Sequence, residues 1–186
     1  MDILAPILIS IIAASTPLLF AAIGELVVEK SGVLNLGVEG MMLGGAVIAF
    51  IISVETGNSS LAIVAGAAMG AMMAGLFAVL TLGLLANQVA TGLALTLFGI
   101  GLSALLGQGY VGTPLTALPK LNIAGLTDIP ILGPVVFGQD ILVYLSFVVT
   151  AIVAWFLYRT RAGLILRSVG ENPHAAHAIG FPVIRI

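Results

Sequence analysis

Cysteine is absent from the 186 residues, which excludes disulfides, thiolate metal sites and cysteine nucleophiles. Charge is scarce as well. Lys and Arg together number 6 and Asp and Glu 8, and the net charge of −2 offers no basic patch for nucleic acid. At the N-terminus, Met1-Asp2 supplies no basic region and no small-residue cleavage site follows the first apolar run. That run therefore reads as a retained span, not a signal peptide.

What the chain has in quantity is apolar side chain: 60% of residues are hydrophobic, 8% are charged and the mean hydropathy is +1.24. A soluble domain of this length has too little interior to hide so much apolar surface. The composition points to an all-α, polytopic transmembrane bundle. A helix rises ~1.5 Å per residue and the hydrocarbon core is ~30 Å thick, so apolar runs of about 18 residues or more are spanning candidates. Five such runs occur, at Leu4–Gly24, Val33–Val54, Ser60–Ala86, Val89–Leu106 and Ile141–Tyr158. The turns "ETGNSS" and "NQ" and one long connection separate the later ones. That connection, residues 107–140, holds Pro114, Pro119, Pro130 and Pro134, which argues for an ordered extramembrane loop. Within it "PILGPVVFG" is apolar enough for a short helix or re-entrant piece at the interface. The whole chain, 1–186, reads as a single membrane domain.

The third run carries Ala62, Gly66, Gly70, Ala74 and Ala78 at four-residue spacing, a small-residue ridge that lets another helix backbone approach closely. A Gly/Ala-rich membrane chain also produces such ladders by chance. After Tyr158 the character changes: residues 159–186 hold Arg159, Arg161, Arg167 and Arg185, four of the six basic residues. By the positive-inside rule this tail is cytoplasmic, and counting back through five spans places residues 107–140 and the N-terminus outside.

Polar residues within such a chain have two readings each. Glu39, in the only run that contains a charge, would lie six residues, hence ~9 Å, into its helix if the helix begins at Val33. An ionisable group at that depth faces a cavity or a partner, and with Asn35 it would line a polar pathway. If the helix begins later, Glu39 is a first-turn carboxylate favoured by the helix dipole. Gln88, Thr91 and Thr96 at the start of the fourth run could hydrogen-bond a neutral hydroxyl-rich solute, whereas Asn87 reads as a cap. Glu25 and Glu29 lie four apart, with no nucleophile or metal cluster to make them catalytic. His174 and His177 are three apart but lack a third metal ligand. "ENPHAAHAIGFP" spells a short helix with Asn172 as N-cap, Pro173 at its first position and Gly180 as its stop.

Taken together, "GELVVEKSGVLNLGVEGMMLGGA" (24–46), "NQVATGLALTLFGIGLSALL" (87–106), "PILGPVVFGQDILVY" (130–144) and "RTRAGLILRSVGENPHAAHAIG" (159–180) resemble the membrane permease subunits of bacterial ABC importers. Within these the branch for nucleosides and simple sugars is the most similar, and the resemblance runs from Pro17 to the last residue. It implies a multi-pass inner-membrane permease with no cofactor of its own. Its partners would be two cytoplasmic ATPases, a second permease in a homo- or heterodimer and an extracytoplasmic substrate-binding lipoprotein. It implies that residues 33–45 lie near the translocation path, which favours a path role for Asn35 and Glu39. The resemblance departs at two positions, since many such permeases carry an acidic residue where this chain has Gln88 and an amide where it has Thr96; Gln88, Thr91 and Thr96 stay candidates for the path on their residue types and not on the family's ligand contacts. Residues 171–180, with Glu171, Asn172, Pro173, Ala175, Ala176, Ile179 and Gly180, correspond to the coupling helix that meets the ATPase. There Ala175, Ala176 and Ala178 form a small face, Ile179 and Phe181 offer apolar anchors, and Arg167 and Arg185 have acidic groove residues or lipid phosphates as partners. Relatives continue past this point, so the resemblance also implies a fragment.

Two other classes compete. An ion-coupled carrier would use Glu39 as its cation site at a broken helix, although such a carrier normally has more than one buried ionisable group. An intramembrane enzyme would need a catalytic constellation at membrane depth, and none is spelled by the sequence.

Overall fold

Left-handed glycines and capping side chains cut the apolar runs into helices. The computed structural model describes residues 4–115, 117–121 and 133–181. Among these, five helices are long and apolar enough to cross a membrane. They are α1 (Leu4–Lys30), α2 (Val38–Thr56), α3 (Ser59–Ala78), α4 (Gln88–Gly107) and α5 (Ile141–Arg159), followed by the shorter α6 (Arg161–Glu171) and α7 (Pro173–Ala178). No strand forms among the described residues, where one isolated antiparallel bridge joins Lys120 and Asp140. The all-α multi-pass architecture is therefore as the composition requires.

The helix boundaries depart from the apolar runs in instructive ways. α1 continues beyond Gly24 through Glu25, Glu29 and Lys30, because a glycine inside a strongly apolar helix is a weak breaker. It stops at Ser31-Gly32, where Gly32 has φ +84. Pro17 lies inside α1, and the preceding Thr16 hydroxyl donates to the Ile12 carbonyl at 2.9 Å. α3 gives way at Val79–Gly83 to a π-helical turn, in which the Leu84 amide reaches the Val79 carbonyl at 3.0 Å. α2 starts five residues later than the apolar run that contains it.

The chain divides into two compact units. One is residues 33–116, with α2, α3 and α4. Here α2 packs along both α3 and α4, and Met73, Phe77 and Leu95 form the buried cluster, with Val33, Met41 and Met69 against it. Backbones approach closely at α2 and α4. A Cβ on Gly40 would stand 2.7 Å from the Thr96 Cα, and one on Gly99 would stand 2.6 Å from the Gly40 carbonyl carbon. Side chains are excluded from both positions, as at small-residue crossings of membrane helices. At the other end of these helices the Tyr110 hydroxyl donates to Glu55 at 2.8 Å.

The small-residue ridge of α3 meets α2 only in part. Ala62 is buried, and a Cβ on Gly66 would stand 2.9 Å from both Ala49 Cβ and the Gly45 carbonyl oxygen. Ala74 is exposed, and a Cβ on Gly70 would meet nothing within 4 Å. Four-residue steps overshoot a 3.6-residue turn, so the ladder drifts off the contact face while Met69, Met73 and Phe77 take it over.

The other unit comprises residues 1–32 and 117–186, with α1, α5, α6 and α7. α5 starts on Asp140, whose carboxylate accepts from the Leu142 and Val143 amides at 2.9 and 3.2 Å. Before it, the expected interfacial piece forms a π-helical turn at Gly133–Phe137; Pro130 and the start of that piece lie outside the described residues. The Tyr144 hydroxyl ties this turn down by donating to the Val136 carbonyl at 2.8 Å. Leu157 and Ser146 are the most deeply buried side chains of this unit. α1 packs against α5 and, at its end, against α6. The latter contact needs Gly170, whose Cβ would stand 2.8 Å from the Gly32 nitrogen.

Candidate functional site

Between α1 and α2 the stretch Val33–Gly37 is not helical, and membrane chemistry makes such backbone demanding. With little water to serve them, its N–H and C=O groups need protein partners. The Asn35 side chain provides one. It is 7% exposed, and its oxygen accepts from the Gly37 amide at 2.9 Å in an Asx turn. Its amide nitrogen also approaches the Met41 sulfur at 3.7 Å. This turn holds residues 35–37 out of the helix and delays its start to Val38.

Two more partners come from α4. The Gln88 side-chain oxygen accepts from the Leu34 amide at 2.8 Å, and the Thr96 hydroxyl donates to the Leu36 carbonyl at 2.9 Å. Between them sits Gly92, whose Cβ would fall 2.8 Å from the Leu36 nitrogen. Of the five polar residues singled out in the sequence, Asn35, Gln88 and Thr96 thus converge on one short segment. Thr91 stands apart, in an open, largely apolar groove of about 400 Å³ lined by Leu76, Leu80, Ala94, Leu95 and Phe98. Asn87 is the N-cap of α4 and accepts from the Ala90 amide at 3.0 Å, as its position suggested.

Of the two placements the sequence allows Glu39, α2 takes the one with the later start. Glu39 is not six residues into α2 but in its first turn, and it is exposed. The Asx turn of Asn35 is the cause. A carboxylate there interacts favourably with the helix N-terminus.

The sequence reading missed Gly40, Gly92 and Gly99, which set how closely the mouth of α2 lies on α4. A signal was present: Gly40 and Gly44 form a small-xxx-small pair, and Gly92 and Gly99 lie seven apart on one face of α4.

The second candidate region follows α5. Thr160 caps α6 by accepting from the Gly163 amide at 3.0 Å. Asn172 caps α7 by accepting from the Ala175 amide at 3.0 Å, with Pro173 at the first position. α7 closes in a Schellman motif: the Gly180 amide donates to the His177 carbonyl at 3.0 Å and the Phe181 amide to the Ala176 carbonyl at 3.1 Å. Gly180 takes φ +93, which a glycine adopts without the Cβ strain of other residues. Glu171 ends α6 and does not begin the short helix, because the Asn172 break falls between them. Ala176 also departs from expectation. It is 2% exposed and packs inward, which leaves Ala175, Ala178 and Ile179 on the outer surface. Phe181 is half-buried. The Arg167 guanidinium lies 4.9 Å above the Tyr158 ring, and Arg185 lies outside the described residues.

Residues 7–186 match the family described as the permease component of branched-chain amino acid transport systems. The chain belongs to this permease family. Among curated relatives, a putative glucose ABC transporter permease of Haloferax volcanii is 40% identical over 100% of this chain and 57% of its own length. A nucleoside ABC transporter permease of Lactococcus lactis is 36% identical over 91% of this chain and 57% of its own. A guanosine ABC transporter permease of Bacillus subtilis is 31% identical over 100% of this chain and 62% of its own. The permease chain here thus spans less than two thirds of the relatives it matches. No solved structure matches it. Membership in this family and five apolar helices together make it a multi-pass inner-membrane protein.

Proposed function

We propose that this chain forms part of the channel of an ATP-binding-cassette importer for a nucleoside or simple sugar. Residues 33–39 border the translocation path, and the segment 171–180 docks on a partner ATPase. ATP hydrolysis belongs to those partners, so the permease needs no catalytic residue of its own. A second permease subunit completes the pore, and a substrate-binding lipoprotein delivers cargo from outside. The substrate class is supported by relatives named for glucose, nucleoside and guanosine transport. The arginines at 159, 161 and 167 favour a cytoplasmic tail.

The observation that carries the docking role is α7 itself. A helix of six residues is marginal in water, yet this one is capped at both ends and keeps all but Ala176 on the outer surface. Such a helix is a rigid knob, with Ile179 73% exposed at its tip. Ala176 is unsuitable for testing it, because a large side chain there would disrupt the unit's own packing. Ala175→Trp and Ile179→Asp act on the outer surface. In a full-length permease co-expressed with its ATPases, each is expected to weaken co-purification of the ATPase roughly tenfold or more, as hot-spot changes do. Substrate-stimulated hydrolysis should fall in parallel. Intact association and stimulation in both variants would reduce the segment to a connector.

A further inference from the structure

We infer that Gln88 and Thr96 are positioning residues: they clamp the non-helical mouth of α2 onto α4 and do not contact the transported solute. Both belong to the residue types that bind hydroxyl-rich solutes, but here the Gln88 oxygen and the Thr96 hydroxyl proton are already committed to backbone. The Gln88 oxygen is taken by the Leu34 amide at 2.8 Å and the Thr96 hydroxyl proton by the Leu36 carbonyl at 2.9 Å. Gln88 and Thr96 are eight residues apart, about two turns of α4, whereas the groups they hold belong to residues only two apart in the opposing non-helical segment. Eight helical residues rise about 12 Å at ~1.5 Å each, so two side chains about two turns apart on α4 hold both ends of one short segment. Gly92, midway between them, removes the side chain that would push this segment away. Asn35 then fixes the interior of the segment through its own turn. Of the segment's polar backbone groups, the Leu34 amide, the Leu36 carbonyl and the Gly37 amide are each served by a side chain, two of them from α4.

The Asn35 turn sets where α2 begins and the clamp holds that turn on α4, so together they place the Glu39 carboxylate and the α2 N-terminus. Its importance for transport rests on the reading that residues 33–39 border the path, but the clamp can be tested apart from that reading. Amide exchange across residues 33–37, followed by mass spectrometry on this chain in lipid nanodiscs, reads it directly. Thr96→Val keeps shape and removes the donor; Gln88→Met keeps length and removes the acceptor. Each is expected to speed exchange of the segment about threefold to tenfold, the scale of one lost hydrogen bond. Thr96→Ser and Gln88→Glu, which restore donor and acceptor, should return it close to the starting rate. Exchange in α3 should stay unchanged. Unaltered exchange of residues 33–37 in both variants overturns the clamp, and so does an equal rise throughout α3, which would make the two side chains general scaffolding. Uptake by the full-length importer then separates the two claims. Faster exchange with loss of uptake in Thr96→Val, both rescued by Thr96→Ser, supports the positioning role. Faster exchange with full uptake leaves the clamp standing and removes the mouth of α2 from the path.

Discussion

The unit of α2, α3 and α4 and the α6–α7 segment of the other unit both rest on glycine, but they use it differently. In the first, Gly40, Gly92 and Gly99 act by having no side chain, so that one backbone lies directly on another. In the second, Gly180 acts through its left-handed backbone, and the hydrogen bonds of Asn172 and the Schellman turn hold the shape. The difference follows the surroundings. Between helices in lipid there is little hydrophobic gain from association, and close van der Waals packing with satisfied polar groups takes its place. A short helix outside the spans has the opposite need: its end groups compete with water, and capping decides whether it forms.

The largest effect should come from filling the close crossing. Gly99→Leu places a branched side chain where even a Cβ would stand 2.6 Å from the Gly40 carbonyl carbon, and backbone is what it meets. Overpacking of a well-packed core costs about 1–3 kcal/mol and occasionally more, and this site lies at the upper end because no flexible side chain can give way. Unfolding of the chain in bicelles, followed by circular dichroism, should show that loss. Stability within ~0.5 kcal/mol of the parent would mean that α2 and α4 do not cross so closely.

Capping should matter less and more locally. Asn172→Ala removes the side-chain acceptor of the Ala175 amide, a loss of about 1 kcal/mol at a helix N-cap. Amide exchange should quicken within residues 173–180 by roughly fivefold while α5 is unaffected. If α5 responded as strongly, α7 would be part of a larger cooperative unit and the contrast between local capping and helix crossing would fail.

The ease of reading these two regions from sequence was unequal. Caps are written locally, and Asn87, Asn172, Pro173 and Gly180 all occupy the places their residue types suggest. The five apolar helices were legible for the same reason, since hydropathy averages over many residues. The mouth of α2 was not. Its start depends on an Asx turn at Asn35 and on side chains 54 and 60 residues away from the backbone groups they bind. No local pattern distinguishes a Gln that holds distant backbone from one that awaits a solute. The ladder on α3 is regular in sequence but reaches α2 within this chain only at its start, because a spacing of four keeps to one helix face for only about two steps.

Gly70 makes that last point measurable and should give the smallest change. If the ladder were a continuous contact ridge, Gly70→Ala would crowd a neighbouring backbone as any substitution at Gly99 does. With nothing within 4 Å of the added methyl group, packing is undisturbed, and what remains is the conformational freedom that alanine removes from the unfolded chain. In a helix interior that exchange favours alanine by about 0.5–1 kcal/mol. Gly70→Ala is therefore expected to leave the chain equally or slightly more stable in the same bicelle unfolding assay. Gly66→Ala, four residues earlier and 2.9 Å from Ala49 Cβ and the Gly45 carbonyl oxygen, should be the less stable of the pair. Equal losses at both positions would restore the full-length ridge and require that something outside this chain covers Gly70.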